Sequence, residues 1–233
     1  MRQIFVQTEN VKNFISAMKE AENAVGDPVL LVFYGQAGRG KTETARFFAA
    51  QEGWIYCRAM KGWKSELWML QDLCFEMNVD PIPGRRKTAF DAIKESLRSN
   101  PRPVLLDDTD KMNESLLEWV RDLADVTFVP IALIGEKLIV HKMQRERRIW
   151  SRTLRAVSFE AISAKDILYF ARQAADISLT AQQANMFRES SDGDYRLVKR
   201  DLRKLEEIWI ANGKDQVTDE MVKMAIKLGL RGA

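Results

Sequence analysis

Gly35-Gln36-Ala37-Gly38-Arg39-Gly40-Lys41-Thr42 fits the spacing G-x-x-x-x-G-K-[ST], and its flanks decide the fold. An apolar run, Val29-Leu30-Leu31-Val32-Phe33-Tyr34, leads in. Glu43-Thr44-Ala45-Arg46-Phe47-Phe48-Ala49-Ala50, with helical spacing, leads out. Strand, loop and helix in that order make a phosphate cradle. Gly35 and Gly40 let the loop curl, so successive backbone N–H groups turn inward at a positive helix N-terminus. Gly35, Gln36, Ala37, Gly38, Arg39, Gly40, Lys41, Thr42 and Glu43 are therefore the candidate nucleotide contacts. Lys41 is placed to reach the β- and γ-phosphates of ATP, and the Thr42 hydroxyl to ligate Mg²⁺. A glycine-rich turn that merely joins a strand to a helix is the plain alternative, and the flanks argue against it.

The chain of 233 residues is long enough for one sizeable core and a small second lobe. Hydrophobic and charged fractions of 46% and 30% are those of an ordinary globular protein, not of a disordered one. No apolar run approaches a membrane span, and Met1-Arg2-Gln3-Ile4-Phe5 lacks a signal-peptide core, so a cytoplasmic protein is expected. Cys57 and Cys74 are too few for a zinc site and read as buried thiols. His141 has no evident partner for metal or triad chemistry. A net charge of +3 says nothing by itself about nucleic acid.

Taken in order, residues 8–25 read as an amphipathic helix, followed by the strand before the loop. After the loop come a helix over 42–51 and a short strand, Trp54 to Arg58. Helices over 65–77 and 88–99 follow, separated by the breaker Asp80-Pro81-Ile82-Pro83-Gly84, with Arg85-Arg86-Lys87 on the break. A third strand, Val104-Leu105-Leu106-Asp107-Asp108, ends in two acids. Strands buried on both faces are apolar throughout and open at their carboxyl ends onto a ligand crevice. About 65 residues downstream of Thr42, Asp107 is the expected metal-side acid. Asp108 follows where P-loop ATPases commonly place a Glu that orients the attacking water.

A helix over 113–124 and a strand over 128–135 complete an α/β domain with a parallel sheet, expected to span 1–160. Residues 142–155 carry Lys142, Arg145, Arg147, Arg148, Arg152 and Arg155 against one acid, Glu146, the usual mark of a solvated helix face. Beyond Phe159 the periodicity is helical only, over 164–176, 180–189, 194–211 and 218–228. This predicts an α-helical lid domain over 161–233.

A phosphate loop, a strand ending in two acids, a fourth strand with a polar tip and arginines before and within the lid together resemble an AAA+ ATPase. The resemblance spans nearly the whole chain and implies a P-loop AAA+ core that hydrolyses ATP at a subunit boundary. Ser151-Arg152 resembles the Ser-Arg finger offered to a neighbouring subunit. Gly193-Asp194-Tyr195-Arg196 resembles the sensor-2 opening of the lid helix, which implies Arg196 on the γ-phosphate. Fixed positive groups of this kind meet the charge on the transferred phosphoryl group.

Within AAA+, Phe5-Val6-Gln7-Thr8, Pro83-Gly84-Arg85-Arg86-Lys87 and the Ser151-Arg152 region resemble the Mu B family, the target-DNA activators of Mu-like transposable phages. The resemblance implies helical filaments on double-stranded DNA, little regard for sequence, and delivery of that DNA to a transposase in the host cytoplasm. It carries DNA contact onto Arg86 and Lys87, with Arg85 beside them, and places Val6 and Thr8 near the adenine. Exposed cations at a helix N-terminus suit phosphate contact without base reading. Lys61 and Lys64 offer a second row.

Three departures from the family pattern stand out. The chain is expected to begin almost at the ATPase domain, without the helix-turn-helix that the resemblance to that family would place before it. The Asp-Glu pair is Asp-Asp, one methylene shorter at Asp108, which predicts slow hydrolysis. The sensor-1 position, generally Asn or Thr, is Glu136, a negative charge that must turn from the phosphate or help hold water or metal. A replication initiator or helicase loader of the same superfamily, and a scaffold that holds ATP with little turnover, are the competing readings.

Overall fold

A computed structural model describes residues 1–231 except 3, 25 and 64. It divides into two compact units, one of residues 10–36 and 41–159, the other of 1–9, 37–40 and 160–233.

The first unit is built on a parallel sheet of β1 (Leu30–Tyr34), β2 (Ile55–Arg58), β3 (Val104–Asp107), β4 (Ile131–Gly135) and β5 (Thr153–Ser158), in the order β2-β3-β4-β1-β5. This is the expected α/β class. β3 and β4 are buried along their whole length and β1 almost so, which is why they read as unbroken apolar runs. In the β1–β4 register Tyr34 pairs with Gly135, and in the β3–β4 register Leu106 pairs with Leu133. The phosphate loop after β1, the acids ending β3 and Glu136 after β4 thus leave the sheet along one edge, the edge at which such sheets bind ligands. On one face, α1 (Glu9–Glu22) brings Phe14 to 4.4 Å from Phe33 and 6.0 Å from Phe48 of α2 (Lys41–Glu52), ring centre to ring centre. The core also buries apolar faces of α3 (Glu66–Glu76), α4 (Arg86–Ser99) and α5 (Glu114–Thr127).

The second unit carries α8 (Ala164–Ala175), α9 (Ala181–Ser190), α10 (Tyr195–Ala211) and α11 (Asp219–Arg231) around a core of its own, to which Val6 contributes. Ser163 with Asp166, and Thr180 with Gln183, form complete capping boxes. Thr218 Oγ1 accepts the Met221 N–H at 3.3 Å.

The structure departs from the sequence expectations in particular places. β5 falls inside the basic stretch read as a solvated helix face, with α6 (Lys137–Arg145) and α7 (Arg147–Trp150) before it. As the edge beside β1 it needs no apolar run, and of its six residues three are half-buried and two exposed. β4 starts at Ile131 instead of 128, because Phe128 adopts φ 57 as the C-cap of α5 and the Pro130 nitrogen cannot donate to a ladder. α4 begins at Arg86, two residues early, so the basic triplet opens that helix.

Candidate nucleotide-binding site

The loop between β1 and α2 is shaped by what lies against its glycines. A Cβ on Gly35 would come within 2.5 Å of the Phe159 carbonyl oxygen. Gly38, at φ 77, lies so close to the Asp194 carboxylate that a Cβ there would overlap it. Asp194 is itself the N-cap of α10, accepting the Arg196 N–H at 2.7 Å, and the Tyr195 N–H reaches the Gly38 carbonyl at 2.9 Å. Arg39 hydrogen-bonds the Asp192 carbonyl and lies 3.5 Å from its carboxylate.

Lys41 opens α2 and bends back over the loop, donating to the carbonyls of Gly35 at 2.7 Å and Gln36 at 2.8 Å. Burial pushes its ammonium below the usual value, against opposing pulls from Glu136, Asp107, Asp110 and Asp108 in that order. The tips of β3 and β4 therefore face this ammonium. Thr42 is half-buried in the first turn of the helix and Glu43 is exposed.

Asp107 ends β3 at 1% exposure. One carboxylate oxygen accepts the Tyr56 hydroxyl and the other the Asp108 N–H, both at 2.8 Å. The next residue is placed differently. Asp108 sits at φ 57, and one oxygen of its carboxylate receives both Arg58 Nε at 2.7 Å and Lys111 Nζ at 2.8 Å. Burial would raise this carboxyl, but the hydrogen bonds from Lys111 and Arg58 outweigh it and hold it below the usual range. Glu136 is exposed as the N-cap residue of α6, its N–H 3.3 Å from Asp110 Oδ1.

The donors fit a magnesium nucleotide. Magnesium keeps several waters and takes one or two protein ligands beside phosphate oxygens. One hydroxyl, Thr42, and one buried carboxylate, Asp107, supply such a set. Among the described residues no group of three or more His, Cys, Asp or Glu could hold a metal by themselves.

Arg152 is forked onto Asp125 through Nε and through Nη2 at 2.8 Å, with Nη1 on the Arg148 carbonyl at 2.6 Å. Arg196 is 70% exposed and only 3.9 Å from Asp194. Val6 is buried, and the Thr8 N–H returns to the Val6 carbonyl at 3.0 Å. Arg85 is the N-cap residue of α4; Arg86, 60% exposed, lies 3.3 Å from Glu66, and Lys87, 85% exposed, lies 2.8 Å from Asp91. Lys61 is exposed, and Lys64 falls outside the described residues. Lys142 and Arg155 are tied down, Lys142 to the carbonyls of Asp110 and Met112 and Arg155 to Glu20.

Tyr56, Arg58 and Lys111 were not legible as site residues. Their only signal is alternation along β2, which brings 56 and 58 to one face, and a lysine three residues after Asp108.

Comparison with known proteins agrees with this geometry. The AAA domain family matches residues 26–143, half of the chain. Over 140 residues the chain is 26% identical to ATP-dependent target DNA activator B of Escherichia phage Mu, a stretch covering 60% of this chain and 44% of that protein. The chain thus spans less than half the length of that relative. Its fold is similar to that of the Aeropyrum pernix ORC2 protein (TM-score 0.69, 16% identity, covering 97% of this chain and 68% of that one). It is similar as well to the A. pernix ORC1 protein in complex with DNA (TM-score 0.65, 18% identity, 95% and 65%). Among the described residues no helix is long and apolar enough to cross a membrane. By its phosphate loop, its sheet order and the span of the family match, the chain belongs to the AAA domain family and has the α/β fold of a P-loop AAA+ ATPase.

Proposed function

We propose that this protein is an ATP-dependent, sequence-tolerant DNA-binding ATPase that assembles as helical oligomers on double-stranded target DNA and presents that DNA to a transposase. The observation that carries the reading is the similarity to a target DNA activator over 140 residues. The exposed cations opening α4 support it. That turn has no acidic residue, so three cations sit at the positive end of a helix dipole. Such a placement costs stability locally and suits a phosphate backbone, which offsets the three cations and the dipole alike.

At the nucleotide, the N–H groups of residues 35–42 and the Lys41 ammonium hold the phosphates, and Lys41 exchanges its two carbonyl partners for phosphate oxygens. Thr42 and Asp107 would hold magnesium, which when bound would supply positive charge to neutralise the phosphates. Tyr56 fixes the orientation of Asp107. Asp108 positions the water, and Arg196 and a neighbour's Arg152 meet charge on the γ-phosphate. Val6 and Thr8 lie at the adenine. Arg85, Arg86 and Lys87, with Lys61 and Lys64 as a second row, form the DNA track. Hydrolysis is slow and depends on assembly.

Electron microscopy of the protein with plasmid DNA tests this reading. Regular coating with a slowly hydrolysed ATP analogue, absent without nucleotide, is expected. Bare DNA under both conditions refutes it.

A further inference from the structure

The helical unit carries a second concentration of positive charge, of which the proposed nucleotide contacts use Arg196 alone. A cavity of about 470 Å³ on α10 is lined by Arg196, Lys199, Arg200, Arg203, Lys204 and Glu207, five cations and one acid. The charges are not balanced locally. Glu207 is taken by Lys204 at 2.8 Å. Arg200 pairs at 2.9 Å with Asp201, whose side chain is buried against Gly229 and whose carboxyl burial pushes above its usual value. Among the described residues Lys199 and Arg203 have no acidic partner within ion-pair distance.

Lys199 and Arg203 are four residues apart, neighbours on one face of the helix. Like charges at that spacing cost helix stability, so the stripe gains nothing for the fold. The opposite face of α10 buries Val198, Leu202 and Leu205, so the stripe cannot turn inward. From residue 196 to 204 the helix rises about 12 Å, against about 3.4 Å per nucleotide along one strand, so the stripe matches three to four nucleotides. Long, rotatable lysine and arginine side chains meet phosphates without reading base edges.

We infer that the face of α10 bearing Lys199, Arg200, Arg203 and Lys204 is a second binding surface for the phosphate backbone of DNA, separate from the cations that open α4. This rests on the proposed DNA-binding function and extends it to the helical unit. The chemistry is sequence-independent and salt-sensitive, with two uncompensated cations as its centre.

Binding of a fluorescently labelled duplex of arbitrary sequence to the full chain, with the ATP analogue and across a range of salt, tests it. Lys199→Ala with Arg203→Ala is expected to weaken binding and to lower the slope of log K against log salt by about 1.8, the loss of two phosphate contacts at about 0.9 each. The charge-preserving Lys199→Arg with Arg203→Lys should keep the parent slope. An unchanged slope in the alanine variant overturns the inference, as does an equal fall in the charge-preserving one. Loss of nucleotide-dependent self-association without DNA in the alanine variant would also overturn it, making the stripe a contact between copies. Failure of the parent chain itself to bind duplex would instead sink the proposed function, an outcome read before any variant is compared.

Discussion

Asp108 shares a single oxygen between two cations, Arg58 and Lys111, and that sharing sets its chemistry. A carboxylate held below its usual pKa is a weak base, and its short side chain leaves little reach toward water. With Asp108 in the water-positioning role proposed for it, this arrangement favours slow turnover. Arg58→Gln removes one of the two cations and should raise single-turnover hydrolysis severalfold with nucleotide affinity little changed; an equal or lower rate would show that Arg58 is not restraining Asp108. Asp107 differs, because Tyr56 donates to it from a strand it pairs with. Burial and then the Asp107 charge push the Tyr56 hydroxyl above its usual value, and burial pushes the Cys57 thiol up and the Cys74 thiol up to about 11. Each group keeps its proton in the folded chain after the unfolded chain has released it. Stability is then full below about pH 8.5 and falls as pH rises toward and past the folded values. Urea midpoints at pH 7 and pH 10 should show this fall, and a flat profile would contradict it. The short acid at 108 and the two buried thiols were legible in the sequence; the hold of Arg58 on Asp108 was not, since φ 57 at Asp108 and the approach of Arg58 depend on the pairing of β2 with β3.

The phosphate loop illustrates how one element's shape depends on distant sequence. Gly38 reads as a loop glycine, but the constraint upon it comes from Asp194, more than 150 residues later. Gly38→Ala must displace the residue that caps α10. It should cost about 1–2 kcal/mol in chemical denaturation, from the lost cap and the strained φ, and weaken ATP binding with it. A variant as stable as the parent would refute the contact. The β1 strand, its loop and α2 were legible because local pattern decides them. β5 was not, since an edge strand with Arg155 in it looks like part of a basic run. α4 was legible only from its apolar face, so the basic triplet read as a break instead of a first turn. At that turn, Arg86→Ala with Lys87→Ala should lower the salt slope of DNA binding by about 1.8 and weaken binding evenly across sequences. A loss confined to particular sequences would mean that these residues read bases.

Across the whole molecule, the proposed function gives positive charge two tasks. Lys41 and the loop would meet the phosphates of a nucleotide. The opening of α4 and the stripe on α10 would meet the phosphates of DNA. A net charge of only +3 is enough if the copies are aligned, because each then repeats its contacts along the duplex. Apart from α6, α7 and β5, the succession of strands and helices was readable from hydrophobic pattern. The strand order was not, because apolar runs in a parallel sheet do not say which neighbours they choose. On the proposed function, nucleotide held by Lys41 orders the copies, and only ordered copies hold DNA. The decisive measurement is duplex binding by Lys41→Ala beside the parent in the ATP analogue. The variant is expected to leave the DNA bare at protein concentrations where the parent covers it. Equal coverage by the variant would refute the proposal.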